Sequence, residues 1–235
     1  MVRLYVTHSE EWSPERRPIL EQNLKSRGFT DVVWVTSYPA THPFVKWLYV
    51  RTGKHLNTSR ISGLVKHLEA MRMFTEDPAF GPQDGAMFCD NDALFIKDWQ
   101  KGIDKIPKGF PYVNLSVGVN FHFLPDGQPR EIMENNGGSE AYWLTKDFAK
   151  FALQHVDARM GGDHVFCGMM KLLGYPVMCI PIAQQTSIIT DNRSAKIEEE
   201  TIPFDDWKHF VHNFKPTGLS YEALRNESGL AREDA

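Results

Sequence analysis

The chain is poor in cysteine, with only Cys89, Cys167 and Cys179 in 235 residues and no Cys-x-x-Cys spacing. An odd, scattered set excludes a disulfide framework and a zinc knuckle, and reads as buried free thiols in a reducing compartment. Positive charge is not in surplus either. Lys and Arg number 26 against 30 Asp and Glu, a net charge of −4, so the phosphate-backbone binding that marks a nucleic-acid partner is not expected. A small phosphorylated ligand stays open. No apolar run approaches the roughly 18 to 20 residues of a transmembrane segment. The opening MVRLYVTHSEEW reads as a first strand rather than a secretory signal, and with no spanning segment the expectation is a cytoplasmic protein. HExxH, GxSxG, P-loop and GxGxxG patterns are all missing, and the nine histidines show no paired metal-ligand spacing.

What is present suffices for one core. A hydrophobic content of 42% and 12% aromatics in 235 residues fit a single globular domain, taken as 1–214 with a polar tail at 215–235. Leu4 to Thr7 is an apolar strand; Ser13 is placed to cap a helix with Pro14 at its first position and Gly28 at its end. Val32 to Val35 is a second strand, parallel to the first. Residues 37–58 show no period and read as an irregular excursion, whose Tyr38, Phe44, Trp47 and Tyr49 either stack on sugars or fill a core edge. From Ser59, the positions Ile61, Leu64, Val65, Leu68, Met71 and Phe74 form one helical stripe. Ala86 to Cys89 is a strand ending at Asp90, with a second extended piece at Ala93 to Ile96. Alternation from Val113 to Phe123 predicts another strand, Ser139 to His155 a strand-like entry and a helix capped near Thr145, and Gly161 to Leu173 a further helix. Val177 to Ile180 is read as the last strand, ended by Pro181, and the chain is expected to fray from about Arg225. The alternation predicts an α/β fold with a mixed, mainly parallel central sheet flanked by helices.

The chemistry concentrates at Cys89-Asp90-Asn91-Asp92-Ala93, where two carboxylates stand two apart as an apolar strand runs out. The carboxyl edge of an open α/β sheet is where binding crevices form. Carboxylates at i and i+2 in an extended turn can face one side, a hard anionic pair suited to Mn2+ or Mg2+ and to neutralising a departing diphosphate. The bare pattern is also common in surface turns. Asp163, after Gly161-Gly162, either caps its helix or accepts a proton from an attacking hydroxyl, with Gly162 allowing close approach of a ligand. Lys66 points off the apolar stripe as a solvated charge or a phosphate contact, and His67 at its edge reads as a satisfied, partly buried histidine. Arg16 and Arg17 open the first helix, whose N-terminus is an anion site.

In chain order, LYVTHSEEWSPERR, ISGLVKHLEAM, MFCDNDALF and GSEAYWLTKDFAKFAL followed by GGDHVF resemble the GT-A glycosyltransferases. Within them the match is to the family 25 type, which includes lipopolysaccharide-modifying and collagen galactosyltransferases. Thr7-His8 stands where that family has Asn-Leu, Ser62-Gly63 where it has Gly-Cys, Lys66 where it has Ser, and Asp90-Asn91-Asp92 where it has Glu-Asp-Asp. These departures suit a distant member or a sister family, and the capsid-sugar transferases of algal viruses are of similar size. The resemblance implies a single GT-A, Rossmann-like domain that moves a sugar from a nucleotide-diphosphate sugar, expected to be a UDP-sugar, to a glycan or glycoprotein acceptor with inversion. It implies that Asp90 and Asp92 hold Mn2+ or Mg2+ with a late ligand, His212 standing for a set that also includes His209, Asp191 and Gln185. It implies that Asp163 is the base, and the expected substrate contacts are Asp90, Asn91, Lys66, Arg16 and Gly162. Two rival readings remain: a phosphatase of the haloacid dehalogenase type using Asp90 as nucleophile, and a catalytically inert sugar-binding protein.

Overall fold

The computed structural model describes residues 2–117, 129–130, 140–157, 159, 162–185 and 219–230. In chain order the elements are β1 (Leu4–Thr7), α1 (Arg16–Ser26), β2 (Val32–Val35), α2 (Pro43–Arg51), α3 (Thr58–Glu76), β3 (Gly85–Asp90), β4 (Ala93–Phe95) and α4 (Trp99–Ile103). They continue as β5 (Tyr112–Val117), β6 (Pro129–Arg130), β7 (Ala141–Thr145), α5 (Lys146–Gln154), α6 (Gly162–Leu172), β8 (Val177–Gln185) and α7 (Tyr221–Ser228). The strands form one mixed sheet in the order β2-β1-β3-β7-β5-β8-β4, with β6 pairing the start of β8. Five strands, β1, β2, β3, β5 and β8, run one way, and β4, β6 and β7 run against them. The expected α/β fold with a mixed sheet flanked by helices is the one observed.

The central strands are apolar on both faces because each face is covered. Tyr5, Phe88 and Tyr142 feed a core on the side of α3, α5 and α6, whereas Leu4, Val6, Met87 and Cys89 feed a second core on the side of α1 and α4. Tyr5 stacks on Phe88 at 5.1 Å and Phe88 on Tyr142 at 5.3 Å, so one ladder of rings ties β1, β3 and β7. A third core joins α2, α3 and α7 through Phe44, Leu48, Val65, Tyr221 and Leu224. All three cysteines are free and buried, as expected.

Four local expectations need correction. The excursion at 37–58 contains α2, started by Pro43 at its first position and by His42, whose Nδ1 accepts from the Phe44 N–H at 3.1 Å. Its aromatics Tyr38 and Phe44 are core residues. α1 begins at Arg16 rather than at Pro14, and Glu15 rather than Ser13 is its N-cap, without a side-chain hydrogen bond. Pro181 does not end the last strand: β8 runs through it to Gln185. The pairing with β5 jumps from Asn114↔Cys179 to Ser116↔Ala183, and this irregularity accommodates a residue that has no N–H to give to a ladder. The stretch read as a polar tail contains α7, which buries Tyr221 and Leu224 and does not fray at Arg225. The strand and turn expected between 118 and 128 lie outside the described residues.

The topology positions the site. From β1 the chain moves to β2 on one side and returns through α2 and α3 to β3 on the other, so the carboxyl ends of β1 and β3 flank a topological switch point. Crevices for ligands open at such points in α/β sheets.

Candidate functional site

Thr7 ends β1 and Asp90 ends β3, and the parallel register pairs them directly. Thr7 Oγ1 donates to Asp90 Oδ1 at 2.7 Å. The same oxygen lies 3.0 Å from Nε2 of His67 on α3, and the other ring nitrogen of His67 lies 2.8 Å from the Tyr142 hydroxyl on β7. An ionised carboxylate only accepts, so Nε2 carries the proton of the His67–Asp90 bond. Burial pushes the Asp90 pKa up, but His67, Thr7 and Arg16 outweigh it and hold the carboxyl below its ordinary value. With Oδ1 committed twice, Oδ2 is the oxygen left to face a ligand; the side chain is 33% exposed.

Asn91 is held by three hydrogen bonds through both polar groups of its side chain. Its amide donates to His8 Nδ1 at 2.7 Å and to Ser13 Oγ at 2.9 Å, and its Oδ1 accepts from Arg16 at 3.3 Å. His8 is fully enclosed, and burial lowers its pKa, in keeping with a neutral ring that accepts at Nδ1. Arg16 also reaches Asp92 Oδ2 at 3.4 Å. The first turn of α1 is thus tied to the Asp90–Asp92 turn by a cation, and Ser13, expected to cap the helix, instead serves this network.

Lys66 is neither a solvated charge nor off the buried face. It is 3% exposed, donates to Ser62 Oγ at 2.7 Å and lies 3.5 Å from the Tyr38 carbonyl oxygen. Burial lowers its pKa to about 8, against the pull of Glu11 and Asp90. Tyr38 supplies that carbonyl from a left-handed backbone conformation, φ 59°, uncommon for a bulky side chain. His67 is satisfied at both ring nitrogens, as its place at the edge of the stripe predicts, and is more deeply buried than that place suggests.

Sequence reasoning missed Glu140, which precedes β7. Its carbonyl accepts from the Asp90 N–H at 2.9 Å, and its carboxylate accepts from Ser116 Oγ at 2.9 Å. Burial, reinforced by the charges of Asp90 and Asp92, raises its pKa to about 7 although the Ser116 bond favours the ionised form. A single Glu before an apolar run carries no local signal; only the β3–β7 pairing brings it here. Gly162 and Asp163 lie in the first turn of α6, where only the backbone is described. His212, His209 and Asp191 lie outside the described residues, as does the Gln185 side chain.

The fit to a divalent cation rests on two hard donors, Asp90 and Asp92. That donor set matches Mg2+ or Mn2+, which uses one or two carboxylates and leaves positions to water and phosphate oxygens. Among the described residues no group of three His, Cys, Asp or Glu side chains gathers as a closed metal site. Among them, too, no helix is long and apolar enough to cross a membrane.

No family model and no curated protein matches the sequence. A solved structure to which the chain is similar is that of A197 from STIV, with 16% identity over 78% of this chain and 83% of that one and a TM-score of 0.47.

Proposed function

We propose that the chain is a metal-dependent glycosyltransferase that moves a sugar from a nucleotide-diphosphate sugar, of the UDP class, to a glycan or glycoprotein acceptor. One observation carries the reading: at the switch point between β1 and β3, Asp90, Asn91 and Asp92 are braced by Thr7, His8, Ser13, Arg16 and His67 into a preorganised acidic turn. A surface turn of the same sequence would need no such bracing. The resemblance of four ordered segments to GT-A enzymes gives the reaction class.

In this reading Asp90 and Asp92 hold Mn2+ or Mg2+, with His212 as a further ligand. When bound, the cation supplies a Lewis acid for the charge that grows on the diphosphate. Arg16 balances the charge of the acidic turn, and Lys66 adds a second cation behind it. Asp163 is assigned the proton of the attacking acceptor hydroxyl, and Gly162 the close approach of backbone to donor.

Purified protein incubated with a panel of nucleotide sugars is expected to release a nucleoside diphosphate only when Mn2+ or Mg2+ is supplied. Asp92→Ala is expected to lower that rate roughly a hundredfold or more, as the loss of one electrostatic stabiliser does, with the circular-dichroism spectrum unchanged. An Asp92→Ala protein that turns over normally refutes the metal role. Release of inorganic phosphate from a simple phosphoester would instead mark a phosphatase.

A further inference from the structure

A cavity of about 420 Å³ opens at the opposite pole of the sheet, between the turn that precedes β3, the α4–β5 connection and β7. Its volume falls in the roughly 300–1,000 Å³ range of small-molecule sites. Gly85 and Asp90 stand at opposite ends of the six-residue β3, about 17 Å apart at the usual rise, so this cavity is separate from the acidic turn.

The cavity is built around Trp143. A Cβ at position 85 would lie 2.2 Å from two carbons of the indole and 2.5 Å from its nitrogen, so glycine at the start of β3 is what seats the ring. The turn opposite is held by several independent bonds. Lys146 Nζ donates to the carbonyl oxygens of Asp77 at 2.6 Å and Phe80 at 2.9 Å, and the Lys146 and Asp147 N–H groups donate to Asp84 and Pro82 carbonyls. Asp84 Oδ2 accepts from the Gly81 N–H at 2.7 Å, closing the turn on itself. The walls are therefore preformed rather than created by a ligand.

The lining mixes aromatic surface, Trp143 and Phe80, with Gln83, Asp84 and Lys108. Among the described residues the indole N–H, the Gln83 amide and the Lys108 ammonium have no hydrogen-bond or ion-pair partner. An anion would meet Asp84 and a cation would meet Lys108, so neither is favoured; a wholly apolar ligand would strip water from three polar groups and return nothing. A neutral ring whose hydroxyls both donate and accept, and whose C–H face lies on an aromatic, satisfies every one of these groups.

We infer that this cavity is a second, non-catalytic carbohydrate site that takes a neutral sugar unit. The site goes beyond the transferase reading and does not depend on it.

The test is isothermal titration and protein-observed NMR of the Asp92→Asn protein, without metal or nucleotide, against neutral mono- and oligosaccharides of galactose, glucose, mannose and N-acetylglucosamine. At least one is expected to bind and to shift the Trp143 indole resonance. A Gln83→Ala/Lys108→Ala double variant, changed only at exposed side chains, is expected to weaken that binding at least tenfold with an unchanged melting temperature. Absence of binding by the whole panel overturns the inference, as does binding that the double variant leaves intact. Because the assay uses no donor, its result is independent of whether nucleotide sugars are turned over.

Discussion

Lys66 holds its ammonium group where only a hydroxyl and a carbonyl receive it, and burial brings its pKa down to about 8 from 10.5. Between those two values the unfolded chain binds the proton that the folded chain has lost, so this residue makes stability rise with pH across that interval and lowers it below pH 8. Each unit of displacement is worth about 1.4 kcal/mol. Lys66→Met is therefore expected to melt higher than the parent at pH 7, by an amount that shrinks towards pH 10, while its nucleotide-sugar turnover falls. Glu140 behaves in the opposite sense. Its folded pKa near 7 lies above the ordinary 4.5, so the folded state holds the extra proton and stability drops as pH climbs from 4.5 through 7. In metal-free buffer, Glu140→Gln should equal the parent near pH 4.5 and be the more stable protein at pH 8. Thermal denaturation across pH checks both pairs.

At the scale of elements, α7 is fastened to α3 through a buried acid. Glu69, 1% exposed, pairs with Arg72 at 2.5 Å on its own helix and with Arg225 of α7 at 3.9 Å, and the Tyr221 hydroxyl lies 3.4 Å away. Tyr221→Ala removes a fully buried ring and is expected to cost about 3 kcal/mol or more, read from the denaturant midpoint. This helix was illegible in the sequence because only Tyr221 and Leu224 of its eight residues face the core. Elements legible in the sequence, among them β1, β2, α3, β3, α6 and the β7–α5 unit, owe it to local signals: an apolar stripe, a strand run, and Thr145, whose side chain accepts from the Phe148 N–H as the capping pattern predicts. The site divides the same way. Asp90, Asn91 and Asp92 stand out because they are contiguous and follow a strand. Ser13, His8 and Glu140 do not, since each meets its partner only across the assembled sheet; Ser13 and Asn91 are 78 residues apart. The burial of Lys66 is not legible in the stripe because α3 is buried on more than one side, by β-strand ends as well as by α2.

Across the whole molecule the two poles of the sheet differ in chemistry. The carboxyl pole gathers acids, histidines, the buried Lys66 and the half-buried Arg16 around one turn, whereas the amino pole holds an aromatic cavity with balanced charge. At the carboxyl pole the acids Asp90 and Asp92 stand against the cations Arg16 and Lys66, so the charge there is paired rather than left as open repulsion. The sheet order has a consequence for how the chain is made. β7 lies between β3 and β5, so the apolar edge of β3 from Ala86 to Cys89 finds its neighbour only when residues 141–145 emerge. At roughly 5–20 residues per second, translation leaves that edge open for roughly 3 to 10 s. Through that interval the nascent trio β2-β1-β3 exposes a strand edge open to pairing with the wrong segment or with a neighbouring chain, so the strand that carries Asp90 depends on a neighbour made more than fifty residues later.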